Sequence, residues 1–196
     1  MRKKIAFSVI FSFAALLLPA NDIFTAPLPE DCRTMLMDFT VSRMDLYASL
    51  DVKLLGREAD NFRNISLYRG EGERNAGFQG TFLRISEKTP QWNYCETIPG
   101  EIVVNSTYRL ELTFDPGRDC RVKLLLKTGD TYKVLHDERF DGENKDRFNK
   151  LEISMRKGNN SLQVANGVLH AVCRYSNFVL DTRISSLEIN GKSILK

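Results

Sequence analysis

Residues 148–196 read FNKLEISMRKGNNSLQVANGVLHAVCRYSNFVLDTRISSLEINGKSILK. Apolar and polar residues alternate through Leu151, Ile153 and Met155 and then through Leu162 and Val164, and Ile184, Leu187 and Ile189 close the series. A period near two puts successive side chains on opposite faces of a strand, so this pattern predicts strands that are half buried. Gly158 to Asn160 supply a turn, and two Asn-Gly pairs, Asn166-Gly167 and Asn190-Gly191, separate further segments. Asn-Gly between alternating apolar residues is the strongest short hairpin signal, because both residues tolerate the positive φ of a type I′ turn. The stretch is therefore read as antiparallel sheet.

The same pattern extends upstream. Tyr108, Leu110, Leu112 and Phe114 alternate with polar residues up to Asp115-Pro116-Gly117. Val122, Leu124 and Leu126 alternate up to Thr128-Gly129-Asp130, and Tyr132 to Leu135 form another short strand closed by Asp141-Gly142. Nearer the N-terminus, Met37, Phe39 and Val41 alternate, as do Leu50, Val52 and Leu54. Met44, Tyr47 and Leu50 also fit a helical stripe, so residues 42–56 are ambiguous. Ile65 with Leu67, and Phe78 to Ile85, read as strands. Regularly spaced strands with turn residues between them predict an all-β chain, an antiparallel β-sandwich or jelly roll.

The chain opens like a secretory signal peptide. Arg2, Lys3 and Lys4 precede the apolar run Ile5 to Leu18, and Pro19-Ala20 offers small residues for cleavage. The run is shorter than the roughly 20 residues of a spanning helix. Expected boundaries are a signal peptide over 1–20, an unstructured lead-in over 21–31, and one sandwich domain over 32–196. The leader holds three basic residues and no acidic one, so 28 basic residues against 25 acidic become an even balance once it is removed. No basic stripe remains to neutralise phosphates, which argues against nucleic acid as a partner. No membrane span is expected after cleavage.

In an exported chain, the four widely spaced cysteines Cys32, Cys95, Cys120 and Cys173 predict two disulfides with three possible connectivities. Sequons at Asn64, Asn105 and Asn159 predict N-linked glycans on exposed loops or strand edges. No close Cys pair or calcium loop appears, and neither a metal nor a cofactor is expected.

Residues 98–196 resemble a galectin domain. Galectins pair an aliphatic-x-aliphatic strand with a Phe-x-Val-x-Val-Asn-Gly hairpin and end on Ile-x-x-Leu-x-Ile-x-Gly. The corresponding residues here are Leu151 and Ile153, then Leu162-Gln163-Val164-Ala165-Asn166-Gly167, then Ile184, Leu187, Ile189 and Gly191. Ile98-Pro99-Gly100-Glu101-Ile102 is similar to the start of such domains, and Leu135 to Asp141 to their sugar-binding strand, His-x-Asn-Pro-Arg-Phe. The resemblance implies a galectin-like jelly roll and an extracellular glycan or glycoprotein as partner. It also implies sugar-binding roles for His136 and Arg139, or, in a second register, for Trp92 and Glu96 on the family's Trp-x-x-Glu motif. Asp137 and Glu138 stand where the family has Asn-Pro, the spacing is one residue short, and no Trp follows. The two registers exclude one another within one domain.

Each candidate also has a simpler reading. Trp92, the one tryptophan, fits a core or rim aromatic beside Tyr94 and Cys95. His136 and Arg139 fit a solvent-facing strand edge, and His170, between Val168 and Val172, fits an inward position. Carboxylate pairs such as Asp137-Glu138 and Asp141-Glu143 lack any sign of the spacing that glycoside cleavage needs. Neither histidine has a nucleophile partner. The sequence is therefore read as that of a secreted binding protein and not an enzyme. The alternative is an interaction or structural module that has lost its sugar site.

Overall fold

The computed structural model describes residues 22–45, 48–56, 62–71, 79–89, 92–100, 102–115, 119–141, 148–155, 158–176 and 178–196; side chains of 70–101, 119 and 140–141 fall outside that description. The expected signal peptide lies outside the described residues. The described chain has strands and no helix, arranged as two antiparallel sheets packed into a sandwich.

The smaller sheet has six strands in the order β1-β10-β3-β4-β5-β6. Its strands are β1 (Ile23–Pro27), β3 (Ser49–Leu55), β4 (Phe62–Glu71), β5 (Gln79–Thr89), β6 (Trp92–Gly100) and β10 (Lys150–Met155). The larger sheet has eight, in the order β11-β12-β13-β2-β7-β8-β9, with β14 paired to β13. These are β2 (Thr34–Met44), β7 (Thr107–Phe114), β8 (Asp119–Thr128), β9 (Thr131–Asp141), β11 (Asn159–Ala165), β12 (Val168–Tyr175), β13 (Phe178–Ile189) and β14 (Lys192–Ser193). Both halves of the sequence contribute to each sheet. β2 lies between β13 and β7, and β3 between β10 and β4.

The alternation in the sequence becomes the core. Met35, Met37 and Phe39 of β2 lie opposite Leu112, Leu110 and Tyr108 of β7, all at 0% exposure. Leu50, Val52 and Leu54 of β3, with Ile65 and Leu67 of β4 and Leu151 and Ile153 of β10, supply the facing layer. Each such side chain contributes about 1.5–3 kcal/mol on leaving water. Tyr108 stacks on Phe39 with ring centroids 5.7 Å apart. Its buried hydroxyl accepts the Val103 N–H at 2.7 Å and donates to the Val103 carbonyl at 3.2 Å.

Breaks in the alternation are β-bulges. Ile184 and Leu187 both face the core although they are three positions apart, because Ser185 is skipped in the register with β2. Val41 and Met44 are both buried because Ser42 is likewise skipped. The ambiguous segment ends β2 and begins β3, and Tyr47, the middle residue of its helix-like stripe, lies outside the described residues. Both Asn-Gly pairs form two-residue hairpins with positive φ throughout: Asn166 at 51° and Gly167 at 73°, Asn190 at 49° and Gly191 at 71°. The expected lead-in is corrected in part. Ile23–Pro27 forms β1 against β10, and the buried Ala26 and Leu28 add to the core.

Candidate functional site

Among the described residues, the side of the larger sheet turned away from the core carries the most organised set of polar and aromatic groups. On β2 and β7 the outward residues are Asp38 opposite Arg109 and Thr40 opposite Thr107. On β8 and β9 they are Leu125 opposite Val134, and Lys127 opposite Tyr132. Strand pairing alone sets these neighbours, since residues two apart share a face.

Arg109 anchors this face. Its Nε and Nη2 donate to Asp38 Oδ1 and Oδ2 at 2.7 and 2.8 Å, a bidentate charge-assisted pair. Hydrogen bonding to Asp38 holds the guanidinium well above its ordinary pKa, against the opposing effect of burial. Reaching over β8, its Cζ lies 4.5 Å from the centroid of the Tyr132 ring, within cation–π range. Leu125 beneath is only 8% exposed. Beside this group, the Thr40 and Thr107 hydroxyl oxygens are 3.1 Å apart. Arg121 forms a second bidentate pair with Asp137 at 2.5 and 2.7 Å, and Lys123 Nζ lies 3.7 Å from the same carboxylate.

The sequence candidates fall on two different sheets. Trp92 and Glu96 lie on β6, the last strand of the smaller sheet, while His136 and Arg139 lie on β9, the last strand of the larger one. The side chains of Trp92 and Glu96 lie outside the described residues. His136 and Arg139 point to opposite sides of β9. His136 lies opposite the core residue Leu124 and is 14% exposed, whereas Arg139 lies opposite Arg121 on the outward face. Three residues along a strand reverse the face, and the family's spacing of four does not. The single missing residue therefore separates the pair. Nε2 of His136 is 3.4 Å from Glu138 Oε2, a contact without hydrogen-bond geometry, and Arg139 reaches Asp115 at 3.1 Å. A bulge at Leu135 lies just before these residues.

His170 is also placed differently from the expectation. Leu169 and Ala171 are the inward residues of β12, and His170 faces outward, with Nε2 3.1 Å from Asp181 Oδ1. Nothing in the sequence singles out Asp38, Arg109, Lys127 and Tyr132. Their only signal there is a position between core residues on consecutive hairpin strands.

A smaller polar group lies on the outward face of the other sheet. The Asp51 carboxylate accepts hydrogen bonds from Ser49 at 3.0 Å, from Ser66, and from Asn64 Nδ2 at 3.5 Å, while Nδ2 also donates to Ser66 Oγ at 2.9 Å. The amide of the Asn64 sequon is thus engaged in mid-strand, whereas Asn105 and Asn159 are exposed. The disulfide expectation is corrected: no disulfide joins any two of Cys32, Cys120 and Cys173, and the side chain of Cys95 lies outside the described residues. Four strand steps separate β8 from β12, roughly 19 Å at the usual spacing, far beyond the Cα reach of a disulfide. Among the described residues, no group of three or more His, Cys, Asp or Glu is placed to hold a metal ion. No helix among them is long and apolar enough to cross a membrane.

No protein-family model matches the chain, and no curated protein matches it. Among solved structures it is similar to the CBM2 module, a carbohydrate-binding module, of the evolved Dit of Lactobacillus casei BL23 phage J-1. Identity is 8%, coverage 86% of this chain and 69% of that one, and the TM-score 0.51. It is also similar to a double mutant of congerin II, a galectin, at 14% identity, covering 68% of this chain and 95% of that one, TM-score 0.41. A third is scytalido-glutamic peptidase with a transition state analog inhibitor, at 12% identity, 88% and 82% coverage, TM-score 0.47. At these identities the likeness concerns the fold alone, a sandwich of the kind a carbohydrate-binding module uses. The expectation that the chain is not an enzyme is corrected: a likeness of fold alone gives no ground for excluding catalysis, and solved sandwiches similar to this chain include a peptidase.

Proposed function

We propose that this chain is a secreted glycan-binding protein whose ligand lies on the outward face of the larger sheet, against Tyr132 and Arg109. The observation that supports this most is the Asp38–Arg109–Tyr132 arrangement. Asp38 occupies Nε and Nη2, which fixes the guanidinium plane and leaves the two Nη1 donors unused by that carboxylate. Tyr132 remains partly exposed beside them. Sugars bind through such a combination, an aromatic surface against C–H groups and fixed donors against hydroxyls. The leader at 1–20 supports secretion.

A glycan array with wild-type protein and Tyr132→Ala tests the reading. Binding to a defined set of glycans, lost in the variant, is the expected result; binding to none would overturn it. A second reading, a protein-interaction module, is favoured by one observation. Val134 and Leu135 are 50% and 40% exposed on β9, an outer strand of the larger sheet, and such edges pair readily with other chains. In that case the array is blank and a Val134→Lys change abolishes association with a protein partner.

A further inference from the structure

We propose that the bound glycan is acidic, with a carboxylate or sulfate group held between Lys127 and Arg109 beside the Tyr132 ring. This rests on the outward face of the larger sheet being the glycan site, and it specifies the class of sugar.

Charge on that face is matched pair by pair, with one exception. Among the described residues of β7 and β8, Arg109 is paired with Asp38, and Arg121 and Lys123 share Asp137. Lys127 is the exception, exposed and in none of these ion pairs. Its neighbour Leu126 packs against the core, so Lys127 projects outward, directly opposite Tyr132 on β9. Arg109 lies across the same strand, with its guanidinium over that ring.

Glu111, which also acts on Arg109, lies opposite Lys123, so this face sets Asp38, Glu111 and Asp137 against Arg109, Arg121, Lys123 and Lys127, and the one positive charge in excess is that of Lys127, beside the aromatic surface. One face of the Tyr132 ring lies under the Arg109 guanidinium, so a sugar ring packs against the part of Tyr132 left exposed, where its anionic substituent meets the ammonium of Lys127 and the Nη1 donors of Arg109. Charge-assisted contacts of this kind are roughly twice as strong as neutral hydrogen bonds. The Thr40–Thr107 hydroxyl pair, across β2 and β7, adjoins Arg109 and suits neutral hydroxyls of a neighbouring residue. A neutral sugar would leave Lys127 without use.

The test is calorimetric titration at low ionic strength with three polymers: polygalacturonate, a sulfated galactan free of uronate, and unsubstituted β-1,4-galactan. At least one anionic polymer is expected to bind about tenfold or more tightly than the neutral one, and the two anionic arms identify the group. Lys127→Ala is expected to lose that advantage while retaining neutral binding, Tyr132→Ala to lose all binding, and Lys192→Ala, a lysine exposed on β14, to change nothing. Equal or tighter binding of the neutral galactan overturns the acidic-sugar proposal but leaves glycan binding standing. Anionic binding that survives Lys127→Ala, or that falls equally in Lys192→Ala, also overturns it. Binding to no glycan here or on the array overturns the underlying reading.

Discussion

Oδ1 of Asn190 accepts the backbone N–H of Arg33 at 2.7 Å, across 157 residues of sequence. The same oxygen accepts the Thr34 N–H at 3.2 Å, and Nδ2 donates to the Asp31 carbonyl at 3.2 Å. Asn190 therefore shapes the β13–β14 turn and also ties down the chain entering β2. Asn166 adopts the same left-handed conformation in the β11–β12 turn, at the far end of a hairpin that does not touch β2 in the sheet order.

Asn190→Ala is accordingly expected to cost about 1–3 kcal/mol, the loss of hydrogen bonds to two exposed backbone groups and to the part-buried Thr34 N–H added to the strain of positive φ. Asn166→Ala should cost about 1 kcal/mol, from the strain alone. Urea unfolding of the two variants checks the difference, and equal losses would show that the tie to β2 adds no stability.

Gly158 is expected to resist substitution for lack of space and not for conformation. A Cβ there would lie 3.0 Å from both the Arg174 carbonyl oxygen and Cys173 Sγ, and 3.1 Å from Tyr175 Cβ. Because one obstacle is backbone, β11 must shift against β12, at about 1–3 kcal/mol. Gly129, at φ 62°, has nothing within 4 Å, so Gly129→Ala meets only the strain of about 1–2 kcal/mol. In thermal unfolding the midpoint of Gly158→Ala is expected to fall at least as far as that of Gly129→Ala. An unchanged midpoint for Gly158→Ala would contradict the close packing of β11 on β12.

Acid should weaken the outward face before it unfolds the core. Hydrogen bonding to Arg121 holds the Asp137 carboxyl below its usual pKa. Arg43, followed by the Val179 N–H, does the same for Asp45. For a group whose folded pKa is depressed, the stabilisation is complete above the unfolded value, near 3.9 for Asp, and is lost as pH falls through the folded value. Stability is therefore expected to be level from pH 7 down to about 5 and to decline below about 4. Unfolding midpoints measured across that range check the sign, and they contradict it if stability rises on acidification. Asp137→Asn should flatten part of the decline.

Cys32 is expected to alkylate slowly. Burial, with the nearby Asp31 carboxylate adding to it, pushes its thiol pKa up to about 11. The thiolate is the nucleophile, so at pH 8 iodoacetamide should label Cys32 on the order of a hundredfold more slowly than an ordinary thiol. Mass spectrometry of the peptide containing Cys32 reads the rate. Labelling as fast as a small free thiol would contradict the burial.

Much of the fold is legible in the sequence, and for a physical reason. Alternation reports which face of a strand leaves water, and Asn-Gly reports positive φ, so Leu151 to Met155 and both closing hairpins lie where the pattern puts them. Bulges hide from that reading. The skipped Ser42 breaks the alternation between Val41 and Met44, and Leu135 interrupts β9 just before His136. β1 escapes it because Pro27 and Pro29 read as loop, although Pro27 ends an edge strand, where a missing N–H is tolerated.

The candidate site is scarcely legible. Asp38, Arg109, Lys127 and Tyr132 come from four strands and share no sequence motif; only the pairing of β2, β7, β8 and β9 brings them onto one face. A family-like motif draws attention to His136 and Arg139 instead, and a spacing of three residues places those two on opposite faces.

The most direct test of the central claim is a backbone amide NMR titration of the isotopically labelled protein with the glycan that binds most tightly on the array. Shift changes concentrated at Asp38, Arg109, Lys127 and Tyr132, absent in Tyr132→Ala, are the predicted result. Changes centred on Asp51 and Ser66 of the opposite sheet, or no changes at all, would contradict it.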